Sequence, residues 1–201
     1  MCIMEIEIKL GPLTPAQARA AYGDLSLLPP AGEEERISMR TAYYDTPAGV
    51  FGAKKLTLRL RQEGDASVCT FKAPVSDLCR LELECPAGSI EAGAAALRER
   101  EDLPGEFRAL LTGPFVPVCG AAFIRTTRLC RAGEVTFHLC RDEGELENGT
   151  RRAPLCELEL ELVSGPQEQL EALAETLCAR YALPRCTRSK QARALALGRE
   201  D

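Results

Sequence analysis

Apolar and charged residues alternate with a period of two through much of this chain. Met4-Glu5-Ile6-Glu7-Ile8-Lys9-Leu10 is apolar on one face and charged on the other. The same pattern recurs in Leu56-Thr57-Leu58-Arg59-Leu60-Arg61, in Arg80-Leu81-Glu82-Leu83-Glu84-Cys85 and in Glu157-Leu158-Glu159-Leu160-Glu161-Leu162. Period-two alternation is the mark of a strand with unlike faces. Weaker strands are expected at 35–45, 67–73, 121–130 and 133–142. About eight strands joined by short polar or Gly-containing links point to an antiparallel barrel or sandwich.

Helical spacing interrupts the pattern in a few places. Thr14-Pro15 reads as an N-cap followed by Pro at the first helical position, opening a helix through about Tyr22. Ser89 starts an Ala-rich helix through about Arg98, and a short helix is expected over 104–111. The clearest runs over 166–181, with Leu170, Leu173, Ala174 and Leu177 on one stripe. A last short helix follows Ser189, and the final few residues are expected to fray. Residues 1–201 are read as a single domain of mainly β, α+β class.

Composition narrows the chemistry. The formal net charge of −5 argues against nucleic acid or an anionic membrane as partner, since both demand a basic surface. Any anion must meet positive charge that is local. The ten cysteines contain no C-x-x-C pair, and the chain has one histidine, so a structural zinc site is not expected. The charged alternation from Met4 leaves no room for a signal peptide's apolar segment. The thiols therefore read as reduced small hydrophobes of a cytoplasmic protein. Asn148-Gly149-Thr150 is read as a turn, and Gly11, Gly64 and Gly133 as turn glycines that form no phosphate loop.

Alternation alone does not say whether the charged faces look outward or into a barrel. Two features favour the interior. The charged faces are segregated by sign, with Glu5/Glu7, Glu82/Glu84 and Glu157/Glu159/Glu161 acidic, and Arg59/Arg61 and Lys72 basic. Same-face neighbours lie about 7 Å apart along a strand. At an effective dielectric near 20, like charges at that distance repel by roughly 2 kcal/mol, which bound metal cations or anions would offset. The amphipathic helices, moreover, need an apolar surface to cover, and a barrel with leucines outward supplies one. The expected fold is a closed eight-stranded antiparallel β-barrel, a tunnel with a polar interior and flanking helices.

These segments together resemble the CYTH superfamily, the triphosphate tunnel metalloenzymes. The resemblance runs through Glu5-x-Glu7-x-Lys9, Tyr43-Tyr44-Asp45-Thr46-Pro47, Leu58-Arg59-Leu60-Arg61, Thr70-Phe71-Lys72 and Arg80-Leu81-Glu82-Leu83-Glu84. It continues through Arg125 to Arg128, Asp142 with Gly144, Glu157-Leu158-Glu159-Leu160-Glu161 and Ser189-Lys190. E-x-E-x-K alone is a weak signal, but the ordered set spans nearly the whole chain. The resemblance implies a tunnel that binds a linear triphosphate with Mg²⁺ or Mn²⁺, two ions in all, in the manner of bacterial inorganic triphosphatases. The helical phosphate-binding domain often fused in such proteins has no counterpart here, and Arg141 stands where relatives carry an aliphatic residue.

On that reading each residue has an expected role. Carboxylates suit hard cations, so Glu5, Glu7 and Glu161 are candidates for a first metal site, and Asp142 and Glu159 for a second. Glu157 reads as a solvated strand end, while Glu82 and Glu84 face the lumen. Arg59, Arg61, Lys72 and Arg80 would clamp phosphate oxygens, with Lys190 plugging one mouth. Arg125 and Arg128 lie on opposite faces of one strand, and parity points to Arg128 as the inward member. Catalysis would fall to Lys9, Glu7 and Glu159, by in-line attack of water on the terminal phosphorus. His138 is expected to be a quietly hydrogen-bonded histidine, and Tyr43, Tyr44 and Asp45 to shape the fold. The expected activity is hydrolysis of inorganic triphosphate to pyrophosphate and phosphate. Thiamine triphosphatase, nucleoside triphosphatase, class IV-type adenylate cyclase and non-catalytic polyphosphate binding are the alternatives.

Overall fold

The computed structural model describes residues 3–76 and 79–198; the expected fraying of the last residues lies outside the described residues. Eight strands form the frame: β1 (Ile3–Leu10), β2 (Pro30–Asp45), β3 (Thr57–Glu63), β4 (Ala66–Pro74), β5 (Cys79–Pro86), β6 (Val116–Ala132), β7 (Val135–Asn148) and β8 (Arg151–Ser164). They close into an antiparallel barrel in the order β1-β5-β4-β3-β2-β6-β7-β8. Two hairpins turn on the expected glycines. Gly64 (φ +57°) and Gly133 (φ +60°) occupy the left-handed conformation that two-residue hairpin loops require. Gly149 (φ +58°) and Thr150 likewise make the turn between β7 and β8.

The helices are α1 (Pro15–Tyr22), α2 (Val50–Ala53), α3 (Ile90–Arg98), α4 (Gly105–Arg108), α5 (Gln167–Tyr181) and α6 (Lys190–Leu197). Thr14 closes a capping box with Gln17 at the start of α1, while Ser89 and Ser189 cap α3 and α6 through their hydroxyls. The short α2 has no counterpart in the periodicity. It is anchored by Asp45, whose carboxylate accepts from the backbone N–H groups of Phe51 and Gly52 at 2.8 and 2.9 Å.

The apolar faces of the strands point outward, and the helices cover them. Ile8, Leu10, Phe137, Leu139, Leu158 and Leu160 pack under α1 and α5 with Leu170, Ala174 and Leu177. Leu58, Phe71, Leu81 and Leu83 pack under α3 with Ile90, Ala94 and Leu97. Each large side chain so buried contributes about 1.5–3 kcal/mol. A third cluster of Met39, Tyr43, Ala121, Phe123, Leu146, Leu155 and Ala194 lies on the inward face beneath α6. The interior is therefore not uniformly polar: one end is closed by an apolar plug, and the charge occupies the rest.

Candidate active site

Alternation carries the charged set inward once the leucines are covered. Glu5, Glu7 and Lys9 of β1 reach the lumen, as do Arg59 and Arg61 of β3, Lys72 of β4, and Arg80, Glu82 and Glu84 of β5. Arg125 of β6, Glu159 and Glu161 of β8 and Lys190 of α6 complete a wall of seven cations and six carboxylates around a cavity of about 210 Å³. That space is far more than one water needs. Thr41, Tyr43, Thr57, Phe123 and Gln191 supply its uncharged wall.

The like-signed strand faces find relief in their neighbours. Lys72 bridges Glu5 at 2.5 Å and Glu82 at 3.0 Å. Arg59 reaches Glu82 at 3.4 Å and Glu84 at 3.5 Å, and Arg61 donates to Glu63 at 2.5 Å. Lys9 contacts Glu7 and lies 3.6 Å from Glu159, while Arg80 stands 3.9 Å from Glu7. The carboxylate repulsion inferred from the strand pattern is thus met partly by protein cations.

Two carboxylate groupings differ in how far they are neutralised. Oxygens of Glu5, Glu7 and Glu161 come within 4.8 Å of one another, as do those of Asp142, Glu157 and Glu159. The second trio is filled by the protein itself. Arg125 makes a bidentate pair with Asp142 at 2.8 and 2.8 Å and also contacts Glu159. Lys190 reaches Asp142 at 2.7 Å, Glu159 at 3.0 Å and Glu157, and Arg193 closes on Glu157. Burial opposes the charge of Glu159, but Lys190, Lys9 and Arg125 outweigh it and hold its pKa well below the ordinary value. Glu161 is the contrasting member. Burial raises its pKa, Arg125 offsets part of that, and Glu159, Glu5 and Glu7 add to the rise.

Glu5 and Glu82 compete for Lys72. Burial pushes the Glu82 pKa up to about 8; Lys72 offsets this in part and Glu5 reinforces it. Burial also opposes the Glu5 charge, but Lys72, a hydrogen bond from Glu82 and Arg59 bring Glu5 down to about 2. The folded metal-free protein therefore keeps a proton on Glu82 that the unfolded chain releases above the ordinary value of 4.5. Stability from this group is complete below pH 4.5 and is lost as pH rises toward 8. Denaturant unfolding in EDTA is expected to show that decline, and Glu82→Gln to flatten it. An unchanged slope in Glu82→Gln would contradict the assignment.

The structure corrects two expectations. Arg125, not Arg128, is the inward arginine of β6. Parity misleads because Phe123, on the same face, belongs to the apolar plug inside the barrel and not to an outer core. Arg128 lies outside, where its guanidinium stacks 4.3 Å from the Tyr22 ring and donates to the Tyr22 carbonyl. Arg141 covers the same ring at 4.9 Å, which gives that residue a place. Glu157 is no solvated flank but a fully buried partner of Lys190 and Arg193. Arg193 joins the cluster through its i+3 spacing from Lys190, which puts both on one helix face. His138 is exposed, opposite Glu161 in the strand register. All nine described cysteines are unpaired thiols.

The fold and this wall together define a closed β-tunnel protein with a charged lumen. The CYTH domain profile matches residues 4–195, and the chain belongs to the CYTH domain family. An inorganic triphosphatase of Haemophilus influenzae is 27% identical over 156 residues, a match covering 72% of this chain and 42% of that protein. The chain thus spans less than half the length of that relative. Among solved structures, HpAC1 from Hippeastrum, for which a dominant triphosphatase activity is described, has a TM-score of 0.64 at 19% identity, covering 98% of this chain and 96% of that one. PH1819 of Pyrococcus horikoshii OT3 has a TM-score of 0.59 at 19% identity, with 96% and 98% covered. These structures are alike in fold. No helix among the described residues is long and apolar enough to cross a membrane.

Proposed function

We propose that this protein hydrolyses inorganic triphosphate to pyrophosphate and phosphate, with a divalent cation, Mg²⁺ or Mn²⁺, seated at Glu5, Glu7 and Glu161. The carrying observation is a single cavity in which lysines and arginines face Glu5, Glu7 and Glu161, a carboxylate trio whose close protein cations, Lys72, Lys9 and Arg125, are each shared with other carboxylates. Oxygen donors of this kind fit a hard divalent ion. Asp142 and Glu159, the other candidate metal ligands, are taken up by Arg125 and Lys190, so we assign one ion to the protein's own seat. When bound, that ion supplies charge neutralisation at the phosphoryl oxygens. Its match to an inorganic triphosphatase supports the substrate class.

The side chains then divide the work. Arg59 and Arg61 offer planar forks to non-bridging oxygens, and Lys72 and Arg80 offer point charge and a further fork across the cavity. Arg125, locked against Asp142, presents a fixed positive charge that needs no reorganisation as negative charge shifts during transfer. Lys9, between Glu7 and Glu159, is placed to orient a water or a terminal phosphate oxygen. Glu7 and Glu159 hold that ammonium in position. Most of the rate gain comes from positioning and electrostatics within the closed lumen.

Phosphate release from inorganic triphosphate, ATP and thiamine triphosphate under one set of conditions tests the substrate. The expected order places inorganic triphosphate first by kcat/KM. A preference for either organic triphosphate, or cyclic AMP as the main product from ATP, would replace this reading.

A further inference from the structure

A second cavity of about 330 Å³ adjoins the tunnel at the α6 end. Thr57, Arg80, Ser189 and Gln191 line both. The partition between them includes the hydrogen bond from Thr57 to Gln191, at 2.6 Å. Charge changes sharply across it. The tunnel wall mixes both signs, but the annex wall carries Lys55, Arg80 and Arg188 and no Asp or Glu. Lys55 and Arg188 are exposed, and neither has a carboxylate partner among the described residues.

Local structure holds these cations in place. Lys55 adopts a positive φ of 57° just after α2, and Leu56 donates back to the Phe51 carbonyl at 2.8 Å. Arg188 is fixed by donation to the Ala192 carbonyl at 3.1 Å. Its segment is tied to the end of β1, where the Cys186 N–H donates to the Lys9 carbonyl at 2.9 Å. Ser189, Gln191 and Ala192, in the first turn of α6, line the same space, and a helix N-terminus favours negative charge.

We propose that this annex binds phosphate units beyond the third of a linear inorganic polyphosphate whose end occupies the tunnel. The proposal rests on the polyphosphate reading of the tunnel. Arg80 makes the link, since it stands 3.9 Å from Glu7 in the tunnel and also lines the annex. A wall with cations and no carboxylate suits a polyanion that needs no metal to enter it. No aromatic ring lines the annex to stack on a base, and no carboxylate is present to accept from ribose hydroxyls.

The test is equilibrium binding by titration calorimetry in EDTA, so that metal-dependent turnover is suppressed. Linear tripolyphosphate, a longer linear polyphosphate and ATP are titrated into the wild type and into Lys55→Ala/Arg188→Ala. The wild type is expected to bind the longer chain roughly tenfold more tightly than tripolyphosphate, as two partly screened charge contacts allow. The double variant should lose that advantage and keep its tripolyphosphate affinity. Equal affinity for the two chains in the wild type overturns the proposal, as does an advantage that survives in the variant. An advantage seen for ATP alone, and lost in the variant, makes the annex a nucleoside pocket instead. A protein that hydrolyses nothing yet shows the expected pattern loses its assigned activity and keeps its annex.

Discussion

Glu7→Gln and Glu161→Gln are each expected to lower metal-dependent phosphate release by roughly 10²–10³-fold while leaving the fold intact. The size follows from removing one preorganised electrostatic element in a water-poor site. Glutamine keeps the shape and one carbonyl oxygen but removes the negative charge, so the seat formed with Glu5 loses a third of its carboxylates. The fold should tolerate the change because the buried cations beside these residues keep other partners, and Arg80, which meets Glu7 at 3.9 Å, is itself a quarter exposed. Lys9 retains Glu159 at 3.6 Å when Glu7 is altered, and Arg125 retains its bidentate pair with Asp142 when Glu161 is altered. Steady-state rates across a Mn²⁺ titration, read beside a thermal melt, check both halves. Full activity in both variants would sink the metal seat. Lost activity accompanied by a collapsed melting curve would make these residues structural.

Lys190→Met is expected to do the reverse and damage stability heavily. Its ammonium is buried among Asp142, Glu157 and Glu159, of which two are fully buried and the third nearly so. Removing it leaves three carboxylates to Arg125, Arg193 and the more distant Lys9, 3.6 Å from Glu159. Breaking a buried ionic cluster from one side costs about 3–5 kcal/mol, because the remaining charge stays out of water. The pH dependence has a definite sign. Without Lys190, Asp142 and Glu159 lose a main cause of their lowered pKa values and Glu157 loses an offset to its rise, so all three shift upward in the folded state. The deficit is therefore largest above the raised values and shrinks as pH falls toward the ordinary carboxylate range. Urea unfolding of both proteins at several pH values measures this. A difference below about 1 kcal/mol, or one that grows on acidification, would contradict the account.

Much of this site could be read from spacing. Glu5, Glu7, Arg59, Arg61, Lys72, Glu82 and Glu159 alternate with apolar residues, and α1, α3 and α5 need the apolar faces those residues provide. Their inward orientation follows from two constraints that agree. Parity failed where the lumen itself turns apolar. Phe123 and Tyr43 face inward beneath α6, so an aromatic neighbour did not mark Arg125 as outward. The pattern is also ambiguous in β7. Glu143, Glu145 and Glu147 repeat the E-x-E spacing, yet they share the face opposite Asp142; Arg141 and Arg152 accompany two of them at 3.5 and 3.6 Å. The burial of Glu157 is not legible in its own strand because it depends on α6, an element distant in sequence whose docking no local spacing reveals. Asn148 helps to place that helix, donating to the Ala194 carbonyl at 3.2 Å, and α6 brings Lys190 and Arg193 to Asp142 and Glu157.

The most direct measurement is phosphate release from inorganic triphosphate by the purified protein with Mg²⁺, with Mn²⁺ and with EDTA. Release that depends on metal and stops in EDTA is the predicted result, because the tunnel cations alone do not replace the ion at Glu5, Glu7 and Glu161. Release that persists unchanged in EDTA, or no release with either metal from folded protein, would contradict the assignment of this tunnel as a metal-dependent triphosphatase.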